Sequence, residues 1–439
     1  MSGVKSSNYS LPIKVGILYS IFTVILYIWG PYDFPTHNRL MLYLFLFVCN
    51  VAIYLGFNQG IFSYRPTPQN CKHVFNIDKF LNILFVIALL TCVPRFIVST
   101  GIRSNILSTI IVRITTYSEL AQEYYSERQE LAAVTGIWKY INILLVLTGP
   151  FSWAYIPLSM LYWGKLGFWK KIASVFIWLT YVAQYLSTGT NVGVFNFIVT
   201  LGVVYWIKVS SNSGRKRRSR SARLRVIVII VAAVVGFLAF FNLTMSSRKG
   251  TLYTRENSAY ICGQECPINQ NKFLYQITPE GLRPLLISVT SYMSRPYGAL
   301  SYAFDMPFKP TFGVGYSWFL LDNVPFSKDL WEMTYPKQLE KQYSYSSWVN
   351  WHTAYTWFAN DVSWLGVPFV LFFLMLIFGQ AWRRFRDEGD IFSFLLFMLF
   401  VRFMLFISMN NQVFQQSDTF LAFWLLLIAR LVYKPYKWV

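Results

Sequence analysis

Charge is scarce in this chain, and acid scarcest: 13% of its 439 residues are charged, and only 19 are Asp or Glu. A soluble domain carries about a quarter of its residues charged, so this composition excludes an ordinary soluble globular protein. Histidine occurs three times and cysteine five times. Cys49 and Cys92 fall in apolar runs and read as small core residues, while Cys71 falls between two such runs. Cys262 and Cys266 (CGQEC) admit a disulfide in an oxidising compartment. A zinc site needs two further ligands, and the nearest candidate is His352 alone, so no metal is expected. Walker, dinucleotide and HExxH signatures are missing, as is any internal repeat, so neither ATP hydrolysis nor a cofactor is expected.

What the chain has instead is hydrophobic residues, 55% of the total, gathered in runs of bilayer length. A hydrocarbon core of about 30 Å needs about 20 apolar residues in a helix. Such runs occupy residues 11–30, 39–58, 80–98, 137–163, 168–186, 192–207, 226–243, 364–382, 391–409 and 420–433. They predict an all-α integral membrane protein with about ten transmembrane helices. Two runs are short, so eleven or twelve spans stay open.

Orientation follows from the basic residues. Residues 215–225 (RKRRSRSARLR) hold seven Lys or Arg and no acid, which places the loop 208–225 in the cytoplasm. So close between two spans, it reads as a topology anchor on anionic headgroups and not as a nucleic-acid patch. Alternation then puts 59–79, 164–167, 383–390 and both termini inside, and 99–136 and 245–363 outside. The larger outer segment balances ten basic residues against nine acidic ones, so the net charge of +20 is mostly topology. The first span lacks a small-residue cleavage site and reads as a span, not a removable signal. Three parts result: a bundle over 1–244, an outer loop over 245–363 and three spans over 364–439.

Candidate chemistry gathers outside. Residues 103–134 carry apolar positions at three- and four-residue steps, an amphipathic helix for the outer surface. Arg95, Arg103 and Arg113 lie around it, and arginine's rigid fork of donors suits phosphate oxygens. Ser246-Ser247-Arg248-Lys249-Gly250 follows the seventh span, where a cation pair beside hydroxyls suits an anionic headgroup. Ser294-Arg295-Pro296-Tyr297-Gly298 reads as a proline turn presenting a donor, with Phe312-Gly313-Val314-Gly315-Tyr316 after it. The run from Tyr343 to Trp357 is dense in Trp and Tyr, including Trp351, and suits sugar stacking. His352 sits within that run and Asp361 nine residues later, both placed to take a proton from an attacking hydroxyl. Arg402 falls mid-span in FVRFMLF, where a charge implies function. Asn410, Asn411, Gln412, Gln415 and Gln416 crowd its far end and suggest a polar cleft.

The organisation resembles the Wzy-type polymerases of O-antigen and capsule repeat units. The resemblance is carried by Ser187-Thr-Gly-Thr-Asn191, Ser247-Arg248, Arg295-Pro-Tyr-Gly298 and Thr353-Ala-Tyr-Thr-Trp-Phe-Ala-Asn-Asp361, leading to Trp364-Leu-Gly-Val-Pro368. Asp361 and Gly366 match the family's acidic-then-glycine feature approximately. Thr190-Asn191 stands where the family commonly has arginine. The resemblance implies a polytopic protein of the bacterial inner membrane with a GT-C-like polymerase or ligase architecture. It implies transfer of a growing glycan from undecaprenyl pyrophosphate onto the next lipid-linked oligosaccharide repeat. Arg95, Arg103, Arg113, Arg248, Arg295 and Arg402 would hold pyrophosphate, Tyr297 and Trp351 the sugar, and His352 or Asp361 would serve as base. Membrane lipids, a chain-length regulator and a flippase are the implied partners; no nucleic acid is. Two other readings stand: a ligase moving finished glycan onto a lipid core, and a flippase or transporter, which the lack of paired halves disfavours.

Overall fold

The computed structural model describes residues 9–66, 73–101, 137–211, 235–242, 258–261, 263–348, 350–432 and 436–438, with Val228 and Thr244. Most of this is helix. In chain order the elements are α1 (Leu11–Trp29), α2 (Arg39–Ser63), β1 (His73–Phe75), α3 (Ile77–Thr100), α4 (Ile137–Leu161), α5 (Phe168–Ser187) and α6 (Val192–Ser211). The hairpin β2 (Ser258–Ile261) and β3 (Gln264–Pro267) follows, then α7 (Phe273–Ile277), α8 (Arg283–Ala303), α9 (Trp318–Asn323), α10 (Ser327–Met333) and α11 (Tyr335–Tyr343). The chain closes with α12 (Ala354–Glu388), α13 (Ile391–Phe406), α14 (Gln412–Gln415), α15 (Ser417–Val432) and β4 (Tyr436–Trp438).

Six described helices are long and apolar enough to cross a membrane: α1, α2, α3, Lys139–Leu161, Val192–Ser210 and α12. In lipid a helix satisfies its backbone internally, which is why these runs fold this way. The other expected spans differ for separate reasons. Helix α5 is dampened by Lys170, Lys171 and Gln184, α13 and α15 have 16 residues each, and 226–243 is described only in part. Where it is described, the expected outer loop 245–363 is largely helical, with α7 to α11 inside it and α12 starting at Ala354.

Packing divides the chain into two compact units, 1–75 with 253–439, and 76–252. These cut the chain elsewhere than the sequence division at 244 and 363, which followed the membrane and not contacts.

In the first unit α2 and α12 touch backbone to backbone. A Cβ on Gly56 would stand 2.2 Å from the Phe372 carbonyl oxygen, and one on Gly60 2.1 Å from that of Leu376. From the other side, a Cβ on Gly379 would stand 2.2 Å from the Phe57 oxygen. Gly56-x-x-x-Gly60 is therefore a small-residue seam of the kind membrane helices use in place of hydrophobic burial. Helix α1 packs on α8 and α13, and Tyr19 Oη donates to the Leu405 carbonyl at 2.7 Å. Helix α12 breaks at Ser363, with φ 58 and ψ 177, a conformation close to glycine-only.

The second unit packs α3 against α4 and α5, and α6 against the same two helices. Interhelical hydroxyl bonds pin it: Thr91 to Ser152 at 2.8 Å and Tyr155 to Ser174 at 2.6 Å. The Ser187–Asn191 stretch turns through Gly189 at φ 67, and Asn191 Nδ2 donates to Thr244 Oγ1 at 2.9 Å.

Candidate functional site

Four segments of the first unit converge on Arg295. It lies inside α8, whose first turn is opened by Pro284. The sequence expectation of a proline turn at Ser294–Gly298 is thus corrected: Pro296 continues the helix. Ser294 and residues 296–303 are buried, so tertiary packing outweighs the lost N–H of proline. Gly298 admits the hairpin, since a Cβ there would meet Ile261 Cδ1 at 3.0 Å. The third and fourth segments are residues 30–35, tied to the hairpin side by Asn269 N to the Pro31 oxygen at 2.7 Å, and residues 344–353.

Arg295 Nη2 donates to Asn350 Oδ1 in a very short bond, and the guanidinium lies 5.9 Å from the Tyr345 ring centre. Tyr345 Oη donates to the Trp351 carbonyl at 3.0 Å, holding that wall. Trp351 meets Tyr292 edge-on at 4.4 Å between centroids and approaches Phe406 at 6.1 Å. Burial pushes the Cys266 thiol up to about 11 and the Tyr32 phenol up to about 12, while the Arg295 charge pulls both back down. Both groups therefore stay neutral around the cation. Among the described residues Arg295 has no carboxylate in ion-pair range.

Arg402 repeats the pattern within α13. It is 6% exposed, its Nη2 donates to Gln416 Oε1 at 2.6 Å, and its Nε has no partner among the described residues. One turn later comes Phe406, the ring beside Trp351. The amide-rich stretch expected beside Arg402 is there: Asn410, Asn411 and Gln412 are buried. Asn411 Oδ1 and Gln415 Nε2 lack partners among the described residues.

The other proposed residues are placed differently. Tyr297 is fully buried, its hydroxyl 2.9 Å from Thr23 Oγ1, so it supports α8 and is not presented to a sugar. His352 is 1% exposed, between the rings of Tyr345 and Trp357 at 5.0 and 6.2 Å. Burial pushes its pKa down to about 3, with the Ser346 carbonyl opposing and Arg295 assisting. It stands as a neutral packed imidazole, not as a ring facing an acceptor. The Asp361 carboxylate accepts from Thr311 Oγ1 and from the backbone N–H groups of Gly313, Val314, Gly315 and Tyr316, the last at 2.9 Å. Five donors make it the anchor of the Phe312–Tyr316 stretch, where the sequence suggested a free base. Arg95 lies in the other unit, its Nη2 on the Leu145 carbonyl at 2.7 Å. Arg103, Arg113 and Arg248, the helix over 103–134, the basic loop from 212 onward, Cys71 and Cys262 lie outside the described residues.

The residue that sequence reasoning missed is Asn350. It sat unremarked inside the aromatic run, 55 positions from its arginine, and only the fold joins them. Compared with known proteins, the chain matches no protein family, no curated protein and no solved structure.

Proposed function

We propose that the chain is a membrane glycosyltransferase that polymerises oligosaccharide repeats carried on undecaprenyl pyrophosphate. The observation that carries this reading is the pair Arg295 and Arg402, each oriented by a neutral amide and left without a counter-ion among the described residues. An amide fixes a guanidinium without neutralising it. Keeping an uncompensated cation partly or wholly out of water is costly, and an anionic ligand removes that cost. A pyrophosphate leaving group matches the demand, because negative charge develops where the cations wait. Trp351 and Tyr292 offer aromatic faces beside Arg295 for the sugar. In this reading the anomeric carbon–oxygen bond to pyrophosphate breaks, and a bond to the acceptor hydroxyl oxygen forms. The acceptor proton passes to the departing pyrophosphate, since His352 is enclosed and Asp361 is engaged by five donors.

The test is a surface-glycan ladder from cells lacking the gene, complemented with wild type or Arg295→Ala. The expected outcome is a full ladder with wild type and single-repeat glycan only with Arg295→Ala, a loss of about 10²–10³ in rate as for other removed oxyanion donors. Long polymer stranded on its lipid carrier in the deleted strain would point to the ligase, and a repeat trapped on the cytoplasmic leaflet to a flippase.

A further inference from the structure

The segment joining α8 to α9 is apolar where it is most exposed. Phe312 is 79% exposed and Phe308 43%, with exposed Lys309 between them. Phe312 also adopts φ 55, followed by Gly313 at φ 81, a left-handed pair that costs a bulky side chain strain. The strain is imposed by Asp361, whose carboxylate takes the Gly313 N–H at 2.8 Å, while the Thr311 N–H bonds the Asn360 carbonyl at 3.2 Å. The clamp holds the phenyl ring outward instead of letting it fold onto the protein.

The same clamp sets the ring's level. Asp361 stands two residues before the break in α12, and immediately beyond it Leu365, Phe369 and Phe373 are 85%, 68% and 60% exposed. At four-residue steps on a helix long and apolar enough to span, these three make a lipid-facing stripe. The bond from Gly313 N–H to Asp361 ties Phe312 to the turn of α12 just before that stripe begins. We infer that residues 308–312 form a lip seated in the bilayer's interfacial layer, with phospholipid as its partner. Phe308 and Phe312 lie at the headgroup–acyl boundary, where aromatic rings are favoured, and Lys309 reaches lipid phosphate. The inference rests on α12 crossing the membrane and not on the glycosyltransferase reading.

The experiment uses the full chain in nanodiscs of phosphatidylcholine and phosphatidylglycerol, with its five native cysteines replaced and one nitroxide-labelled cysteine added. Labels come from Phe312→Cys, Phe308→Cys, Leu365→Cys as the lipid reference, and Glu280→Cys, whose charged side chain is 88% exposed ahead of α8, as the aqueous one. The expected result is an oxygen-to-nickel-chelate accessibility ratio at 308 and 312 matching that at 365 and several-fold above that at 280. Ratios at 308 and 312 equal to that at 280 would overturn the inference. If the cysteine-free chain fails to fold, a benzoylphenylalanine at position 312 of the native chain serves. Ultraviolet crosslinks to phospholipid support the lip; crosslinks only to a second copy or to solvent-borne protein defeat it.

Discussion

The two ends of α12 treat arginine in opposite ways. At the Glu388 end the arginines sit among acids. Arg383 Nε lies 3.3 Å from Asp387, Arg384 Nε 2.9 Å from Asp390, and Arg386 stacks 5.2 Å from the Trp382 centroid. Arg430 donates to Gln380 Oε1 at 2.7 Å and feels both the repulsion of Arg384 and the attraction of Asp390. Beyond the Ala354 end, Arg295 and Arg402 have no acid in ion-pair range among the described residues; they donate to the amides of Asn350 and Gln416, with the Tyr345 ring 5.9 Å from Arg295. Both regions hold arginine out of water, so burial alone does not explain the difference. The paired end is complete as it stands. On the proposed reading, the amide-held end is complete only with an anion.

The largest effect expected from this contrast is on stability at the paired end. Arg384→Ala removes the cation paired with the Glu388 and Asp390 carboxylates, 3% and 4% exposed. Breaking a buried pair costs about 3–5 kcal/mol, read as a large drop in thermal midpoint in detergent. Arg402→Leu should do the reverse. Replacing an uncompensated buried charge by a hydrophobe leaves the ligand-free chain as stable or about 1–4 kcal/mol more stable, while glycan polymerisation in cells fails. A thermal midpoint for Arg402→Leu well below wild type would place Arg402 with the structural arginines and break the contrast.

The smallest effect concerns His352. Its folded pKa of about 3 lies below the unfolded value of about 6.5. Above that upper value the ring is neutral in both states and its burial is uncharged by pH. Stability is then lost as pH falls from about 6.5 towards 3, with a slope of up to about 1.4 kcal/mol per pH unit. Thermal unfolding at pH 7, 6 and 5 should show that slope in wild type and a flatter one in His352→Phe. Equal slopes would mean that the histidine reaches water.

The contrast also explains what was legible in the residues. The apolar run 11–30 reads nearly to the residue against Leu11–Trp29, because nothing competes there with hydrocarbon length. Helix α8 hid behind Pro296 and a polar composition, and declares itself only by burying residues 296–303. The Gly56-x-x-x-Gly60 seam was visible in the letters, yet its partner Gly379 lies more than 300 residues on and only packing joins them. At the site, arginine and the aromatic run were legible as residue types. The occupation of Asp361 by four backbone N–H groups and a threonine was not, since backbone donors leave no mark in a sequence beyond two glycines.

The central claim, that Arg295 and Arg402 together wait for an anion, is tested most directly by thermal unfolding of the purified chain against rising pyrophosphate. Wild type and Arg386→Gln should be stabilised alike, by about 2.7 kcal/mol at a hundredfold excess over the dissociation constant. Arg295→Gln and Arg402→Gln should each need at least about tenfold more pyrophosphate, which is the 1.4 kcal/mol of one lost charge-assisted contact. Equal stabilisation of all four proteins, or of none, would contradict the account.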